Sequence, residues 1–149
     1  MTIRDEMRLL RQVPMFAKVD AARLKLICFT SDRLVFGRGE TVFEQGDTGD
    51  AAYLILSGTA EVEVETHDGP LHVADVGPNK IVGEISVLCE VPRTATVRAT
   101  SELVTLRLDQ EQFMCLVEDY PDVAVEILRE LAIRLDTTLH KAGRIPIRT

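Results

Sequence analysis

The sequence predicts a mainly β fold, an antiparallel barrel or jelly roll, with helices at both ends. Three observations predict it. Between Asp32 and Leu108, short β-rich runs alternate with glycine turns at Gly37, Gly39, Gly46, Gly49, Gly58, Gly69 and Gly77. On either side of that stretch the apolar residues recur at helical spacing instead. The chain is 46% hydrophobic but only 5% aromatic, with no Trp, so the core is aliphatic.

The elements follow in order. Residues 3–12 read as a short amphipathic helix with Ile3, Met7 and Leu10 on one face. Val13 to Phe16, interrupted by Pro14, is a tight apolar turn. Asp20 is placed to cap a second helix running to about Phe29, with Leu24, Ile27 and Cys28 inward. The predicted strands are 33–36, 41–44, 53–56, 60–65, 71–76, 94–99 and 103–108. Glu61 to Glu65 alternates strictly between Glu and Val, so one face is wet and one buried. Asp68-Gly69-Pro70 is a hairpin tip. Residues 109–118 form a helix with Phe113 and Leu116 inward, and Pro121 opens a longer one. In that last helix Ala124, Leu128, Leu131, Leu135, Thr138 and Ala142 follow heptad spacing, widened by Ile127 and Leu139. The stripe suits either a partner's equivalent helix or the chain's own barrel.

Composition narrows the function. At 149 residues the chain is expected to be one domain: N-terminal helices over 1–30, the β region over 31–108, C-terminal helices over 109–143. A net charge of −7 argues against nucleic-acid binding by this chain alone. No apolar run is long enough to span a membrane, and the charged N-terminus is no secretory signal. Cys28, Cys89 and Cys115 are far apart and odd in number, which suits a reducing cytoplasm better than a disulfide framework.

The chemistry concentrates in Gly83-Glu-Ile-Ser-Val-Leu-Cys-Glu-Val-Pro-Arg-Thr-Ala-Thr-Val97. A short helix starting near Gly83 leaves its first N–H groups unpaired, which favours an anion. Gly83 removes a Cβ that would keep a ligand from the backbone. Arg93 offers a rigid fork of donors for phosphate oxygens. Glu84 repels phosphate but accepts a hydrogen bond from a sugar hydroxyl, and it is placed to orient Arg93. Taken singly, Glu84 and Arg93 read as a weak surface ion pair. The whole run carries more.

That run resembles the phosphate-binding cassette of the cyclic nucleotide-binding domain family, found in the catabolite activator protein, protein kinase A regulatory subunits and cyclic-nucleotide-gated channels. The pattern is Gly-Glu-aliphatic-small-aliphatic, a loop, then Pro-Arg-small-Ala-Thr-Val, and every fixed position is filled. The turns at Gly39-Glu40, Gln45-Gly46-Asp47 and Gly49-Asp50, and the run Tyr53 to Gly58, also match the family's jelly roll, a double-stranded β-helix. Those glycines are read as structural. The resemblance runs from about Leu9 to about Gly143.

It implies a regulatory binding module, not an enzyme, with a cyclic nucleotide as ligand and no cofactor or metal. Glu84 would hold the ribose 2′-hydroxyl and Arg93 the cyclic phosphate. Gly83, Ile85, Ser86, Thr94 and Ala95 would line the same site, Ile85 and Ser86 through their backbone. Thr138 would reach the base from the last helix, where Leu139 replaces a usual second hydroxyl residue. cAMP is the favoured ligand. cGMP stays open, because the Thr94 hydroxyl suits a guanine. The family's dimers imply a homodimer through the last helix. A cGMP-preferring module cut from a channel or transcription regulator, and a dimerisation scaffold with a degenerate pocket, are the alternatives. A jelly-roll metalloenzyme is unlike this chain: its three histidines, His67, His72 and His140, form no ligand set with carboxylates on facing strands. Haem or oxygen sensors of the family generally lack the Glu/Arg pair. Cys89 is read as a small packing residue.

Overall fold

A computed structural model of the chain describes residues 2–141, with side chains through Asp136. Helix α1 (Ile3–Gln12) starts in a capping box formed by Thr2 and Asp5. A 3₁₀ turn over Pro14–Phe16 buries Met15 and Phe16. Asp20 then caps α2 (Ala21–Thr30) by accepting from the backbone N–H of Arg23.

Eight strands follow: β1 (Asp32–Phe36), β2 (Thr41–Phe43), β3 (Ala51–Ser57), β4 (Ala60–Thr66), β5 (Gly69–Val76), β6 (Ile81–Val82), β7 (Thr96–Ala99) and β8 (Leu103–Asp109). They form two four-stranded sheets, ordered β1-β8-β3-β6 and β2-β7-β4-β5, with antiparallel pairing between neighbours. This is the jelly-roll arrangement the glycine punctuation predicts. Helix α3 (Glu84–Cys89) interrupts the strands between β6 and β7, and α4 (Gln110–Asp119) and α5 (Pro121–Lys141) follow them.

The differences from expectation are local. β6 was not foreseen, because two residues are too few to show a period. β5 begins at Gly69, so the hairpin tip is His67-Asp68 rather than Asp68-Gly69-Pro70. β7 begins at Thr96, two residues later than predicted, because Thr94 and Ala95 still belong to the cassette loop.

β3 explains how the layers fit together. Ala51, Tyr53 and Ile55 point between the sheets, against Phe43, Val62, Val82 and Val97. Ala52 and Leu54 point the other way, into a second core with α1, α2, α4 and α5. A strand covered on both faces must be apolar at every position, and Ala51 to Leu56 is. Phe16 and Phe113 are fully buried in the helical core. Truncating either to Ala costs about 3–5 kcal/mol.

α5 presents two faces. Val123 and Ile127 are buried, and Leu131 packs against the same core. Leu128 and Leu135 are 64% and 60% exposed. The predicted single heptad seam is therefore split: Leu131 serves the chain's own core, and Leu128 and Leu135 face away from it. Thr138, Leu139 and Ala142, which continue that seam, lie outside the described side chains.

Candidate functional site

The cassette is assembled from three segments distant in sequence. Gly83 opens α3 in the left-handed region, at φ +83°. A Cβ there would lie 2.5 Å from a guanidinium nitrogen of Arg93 and 3.1 Å from the Ala51 carbonyl. Gly83 thus makes room for Arg93 itself, where the sequence suggested room for a ligand. Gly49 has the same role on the far side. Its Cβ would sit 2.5 Å from the Ser86 Cβ and 2.9 Å from Arg93 Nε. Gly49 is no mere strand-reversal residue; the cassette closes onto its bare backbone.

Arg93 is held from its backbone outward. Its N–H donates to the Asp47 carbonyl and its own carbonyl accepts from Gly46, each at 2.8 Å. The glycine turn after β2 therefore fixes where Arg93 stands. The side chain is only 4% exposed. Nη1 donates to the Gly83 carbonyl at 2.9 Å and Nη2 to the Ala51 carbonyl at 2.7 Å. The guanidinium stacks on the Phe43 ring, 4.1 Å from its centroid. Nε is buried without a hydrogen-bond partner. Burial lowers the Arg93 pKa from its ordinary value, with Tyr53 and Asp50 opposing it. No carboxylate pairs with Arg93 within the described residues; its charge meets two carbonyl dipoles and the ring faces of Phe43 and Tyr53, with Asp50 and Asp47 acting from farther off.

Glu84 is 1% exposed. It does not orient Arg93, and the two form no surface pair. Its carboxylate accepts at 2.8 Å from Nη1 of Arg134, on α5. Arg134 Nη2 also donates to the Ile81 carbonyl. Burial pushes the Glu84 pKa above its ordinary value, and Arg134 pulls it back part of the way.

Arg134, Gly49 and Phe43 were missed by sequence reasoning. Arg134 had a signal. On α5 the inward positions run Val123, Ile127, Leu131, and the next position on that face is Arg134. A cation that continues a buried stripe calls for a buried anion. Nothing local pointed to Phe43 or Gly49.

Glu84 and Arg134 border a cavity of about 300 Å³, at the small end of ligand pockets. Its floor is apolar: Phe43, Val62, Val64, Val73, Val82 and Val97. The predicted residues Gly83, Glu84, Ile85, Ser86, Thr94 and Ala95 all line it. Leu131, Arg134 and Leu135 of α5 form its remaining wall. Arg93 lies directly behind Gly83 and Ser86. The Cys89 side chain is exposed, so it does not pack as expected.

The family model described as the cyclic nucleotide-binding domain matches residues 33–120.

The chain belongs to the cyclic nucleotide-binding domain family.

Relatives of the domain agree. It is 28% identical over 131 residues to a CRP-like cAMP-activated global transcriptional regulator of Mycobacterium tuberculosis, covering 87% of this chain and 58% of the regulator. The chain thus spans little more than half the length of that relative. Among solved structures, the N-terminal domain of a transcriptional regulator from Streptomyces coelicolor A3(2) is 33% identical, with a TM-score of 0.64, covering 87% of this chain and 94% of that one. The regulatory subunit of a cAMP-independent protein kinase A from Trypanosoma brucei has a TM-score of 0.78 at 20% identity, covering 95% of this chain and 51% of the subunit, which shows the shared fold. Among the described residues of the domain, no helix is long and apolar enough to cross a membrane.

Proposed function

We propose that the domain is a regulatory module that binds cAMP in the cavity under α5. One observation carries this reading. Glu84 is nearly fully buried and lines one apolar cavity, and Arg93, nearly fully buried against Gly83 at the edge of that cavity, has no carboxylate partner among the described residues. A buried cation so placed attracts an anion, and a buried carboxylate next to it reads a hydroxyl of the same molecule.

In this reading the cyclic phosphate sits between Arg93, the Thr94 hydroxyl and the first N–H groups of α3 at Ile85 and Ser86. The ribose 2′-hydroxyl donates to Glu84. The base lies along the valine floor beneath Leu131 and Leu135, with Thr138 as a further base contact. Glu84 is already occupied by Arg134, so the hydroxyl and Arg134 compete for one carboxylate. Ligand binding thereby changes how firmly α5 is held to the cassette, which is the coupling a sensor needs. No reacting group is required, so the domain acts by binding rather than catalysis.

The trypanosome subunit named cAMP-independent has the same fold, so ligand identity rests on side chains and not on architecture. Thr94 keeps cGMP in view, since one hydroxyl shifts preference by only about 0.5–1.5 kcal/mol. Calorimetry with cAMP and cGMP decides. Micromolar binding of cAMP supports the reading, and binding of neither nucleotide overturns it. Glu84→Gln should weaken cAMP by about 1.5–3 kcal/mol and leave 2′-deoxy-cAMP nearly unchanged. Equal losses remove Glu84 from the sugar.

A second reading concerns assembly. Val125, Leu128, Ala132 and Leu135 are exposed on α5 at 3-4-3 spacing, the seam of a two-helix contact. We propose a homodimer through this face. Light scattering that shows a monomer at all concentrations, with and without ligand, rejects it. The free thiols Cys89 and Cys115 are exposed, which fits a cytoplasmic location.

A further inference from the structure

Glu130 lies one turn before Arg134 on α5 and, with Lys80 and Arg134, lines a second cavity that shares Arg134 with the first. One of its carboxylate oxygens, Oε2, is buried and has no hydrogen-bond partner. It stands 3.7 Å from Arg134 Nη2, attracted but not bonded. The other oxygen is 3.8 Å from Lys80 Nζ, on the turn before β6. A buried carboxylate oxygen left unpaired is unfavourable, and a short turn of one guanidinium would relieve it. That guanidinium is held away by Glu84 at 2.8 Å and by the Ile81 carbonyl. A buried carboxylate and a partly buried one therefore share one arginine, and Glu84 holds it.

We propose that Glu130 is a positioning residue for the sugar site: it takes up Arg134 when a ligand hydroxyl occupies Glu84. This rests on the nucleotide-binding reading above. Arg134 then has two seats, Glu84 in the free domain and Glu130 in the occupied one. Lys80 keeps Glu130 in place for the exchange. The anion that would otherwise be left without its cation when the ligand arrives is Glu84, and the ligand's hydroxyl satisfies it. The cation that would otherwise be displaced is Arg134, and Glu130 satisfies it. Affinity for a ribonucleotide depends on both acceptors, although Glu130 need not touch the ligand.

The sign of the effect separates this from general electrostatics. Glu130→Gln removes a negative charge near an anion site, and simple Coulomb attraction predicts tighter binding. The proposal predicts weaker binding of cAMP, by roughly threefold to tenfold, the loss of one hydrogen bond. For 2′-deoxy-cAMP it predicts little change, because Arg134 can stay on Glu84. Calorimetry of the wild type and Glu130→Gln with both nucleotides is the test. Unchanged or tighter cAMP binding overturns the proposal. So does an equal loss for both ligands, which marks a merely structural residue.

A ligand-free arm stands apart from the functional reading. Urea denaturation of Glu84→Gln, Glu130→Gln and the double variant measures their coupling. Glu130→Gln should be more costly when Glu84 is already Gln, because Arg134 then depends on Glu130. Repulsion between the two carboxylates gives the same sign, so the cycle is repeated with Arg134→Gln. Coupling through the shared arginine disappears there; repulsion persists. Additive costs, or coupling that survives loss of Arg134, overturn the proposal. If the wild type binds no cyclic nucleotide, the functional reading fails and this cycle alone decides the place of Glu130.

Discussion

Arg134 of α5 donates to the buried carboxylate of Glu84 at 2.8 Å, and so the last long helix is tied to the first residue of the cassette helix. The two residues are 50 positions apart. The contact closes one wall of the cavity with the same carboxylate that the ligand's sugar would use.

Arg134→Gln should destabilise the ligand-free domain by about 1–3 kcal/mol, since it leaves a buried acceptor without its charged donor. The penalty is moderated because the Arg134 side chain is 24% exposed and water can replace part of the contact. Amide hydrogen exchange should quicken along α5 more than in the strands. Uniform protection along α5, matching the wild type, would show that Arg134 does not fasten the helix.

Arg93→Ala should cost about 2–5 kcal/mol in cAMP affinity, the usual loss when one side of a buried charge pair is removed. It should also lower stability without ligand, because the Gly83 and Ala51 carbonyls lose their donors and Phe43 loses its stacked partner. Calorimetry and thermal denaturation measure the two effects. Unchanged affinity refutes the phosphate role.

Gly49→Ala should damage the site from behind. The added methyl meets the Ser86 Cβ at 2.5 Å and Arg93 Nε at 2.9 Å, so α3 or Arg93 must shift. Overpacking of this kind costs about 1–3 kcal/mol in stability. Nucleotide affinity should fall as well, although Gly49 lies outside the cavity lining. Gly39→Ala offers a contrast: its φ is +88°, but no atom lies within 4 Å of the added Cβ. It should cost some stability and spare affinity. A Gly49→Ala domain that binds like the wild type refutes the close-packing argument.

Stability should depend on pH through Glu84. Its pKa is raised in the folded state by burial, from an ordinary value of 4.5. The folded form therefore binds the proton more tightly than the unfolded form. The stability linked to that proton is fully present below about pH 4.5 and is lost as pH rises through the folded value. Glu84→Gln cannot titrate. Denaturation at a series of pH values should show the wild type losing ground to Glu84→Gln as pH rises from about 4.5. A difference that moves the opposite way shows that Arg134 outweighs burial, and one that stays constant shows that the two cancel; either refutes the expected sign.

Much of the site was legible because its parts are close in the chain. Gly83 to Ala95 is one local run, and six of its predicted residues line one cavity. The alternation of Glu61 to Glu65 and the cap at Asp20 are also local, and they appear where periodicity and capping chemistry place them. The errors came where a residue's partner lies far away. Glu84 was given Arg93 as its neighbour because Arg93 is near in sequence, yet its partner is Arg134. Leu131 and Leu135 were assigned to one seam, yet α5 lies on the barrel so that only Leu131 reaches the core.

By itself the sequence determined the strand-and-glycine rhythm, the helices at both ends and the chemical identity of the cassette. Each depends on spacing along the chain, which backbone geometry converts directly into structure. Only the tertiary structure decided which cation answers Glu84, why Gly49 bears no side chain, and which face of α5 stays outside. Those outcomes depend on how separate elements pack. Burial makes an unpaired charge costly, so the fold selects a partner from whatever residues it brings within reach, regardless of their distance in sequence.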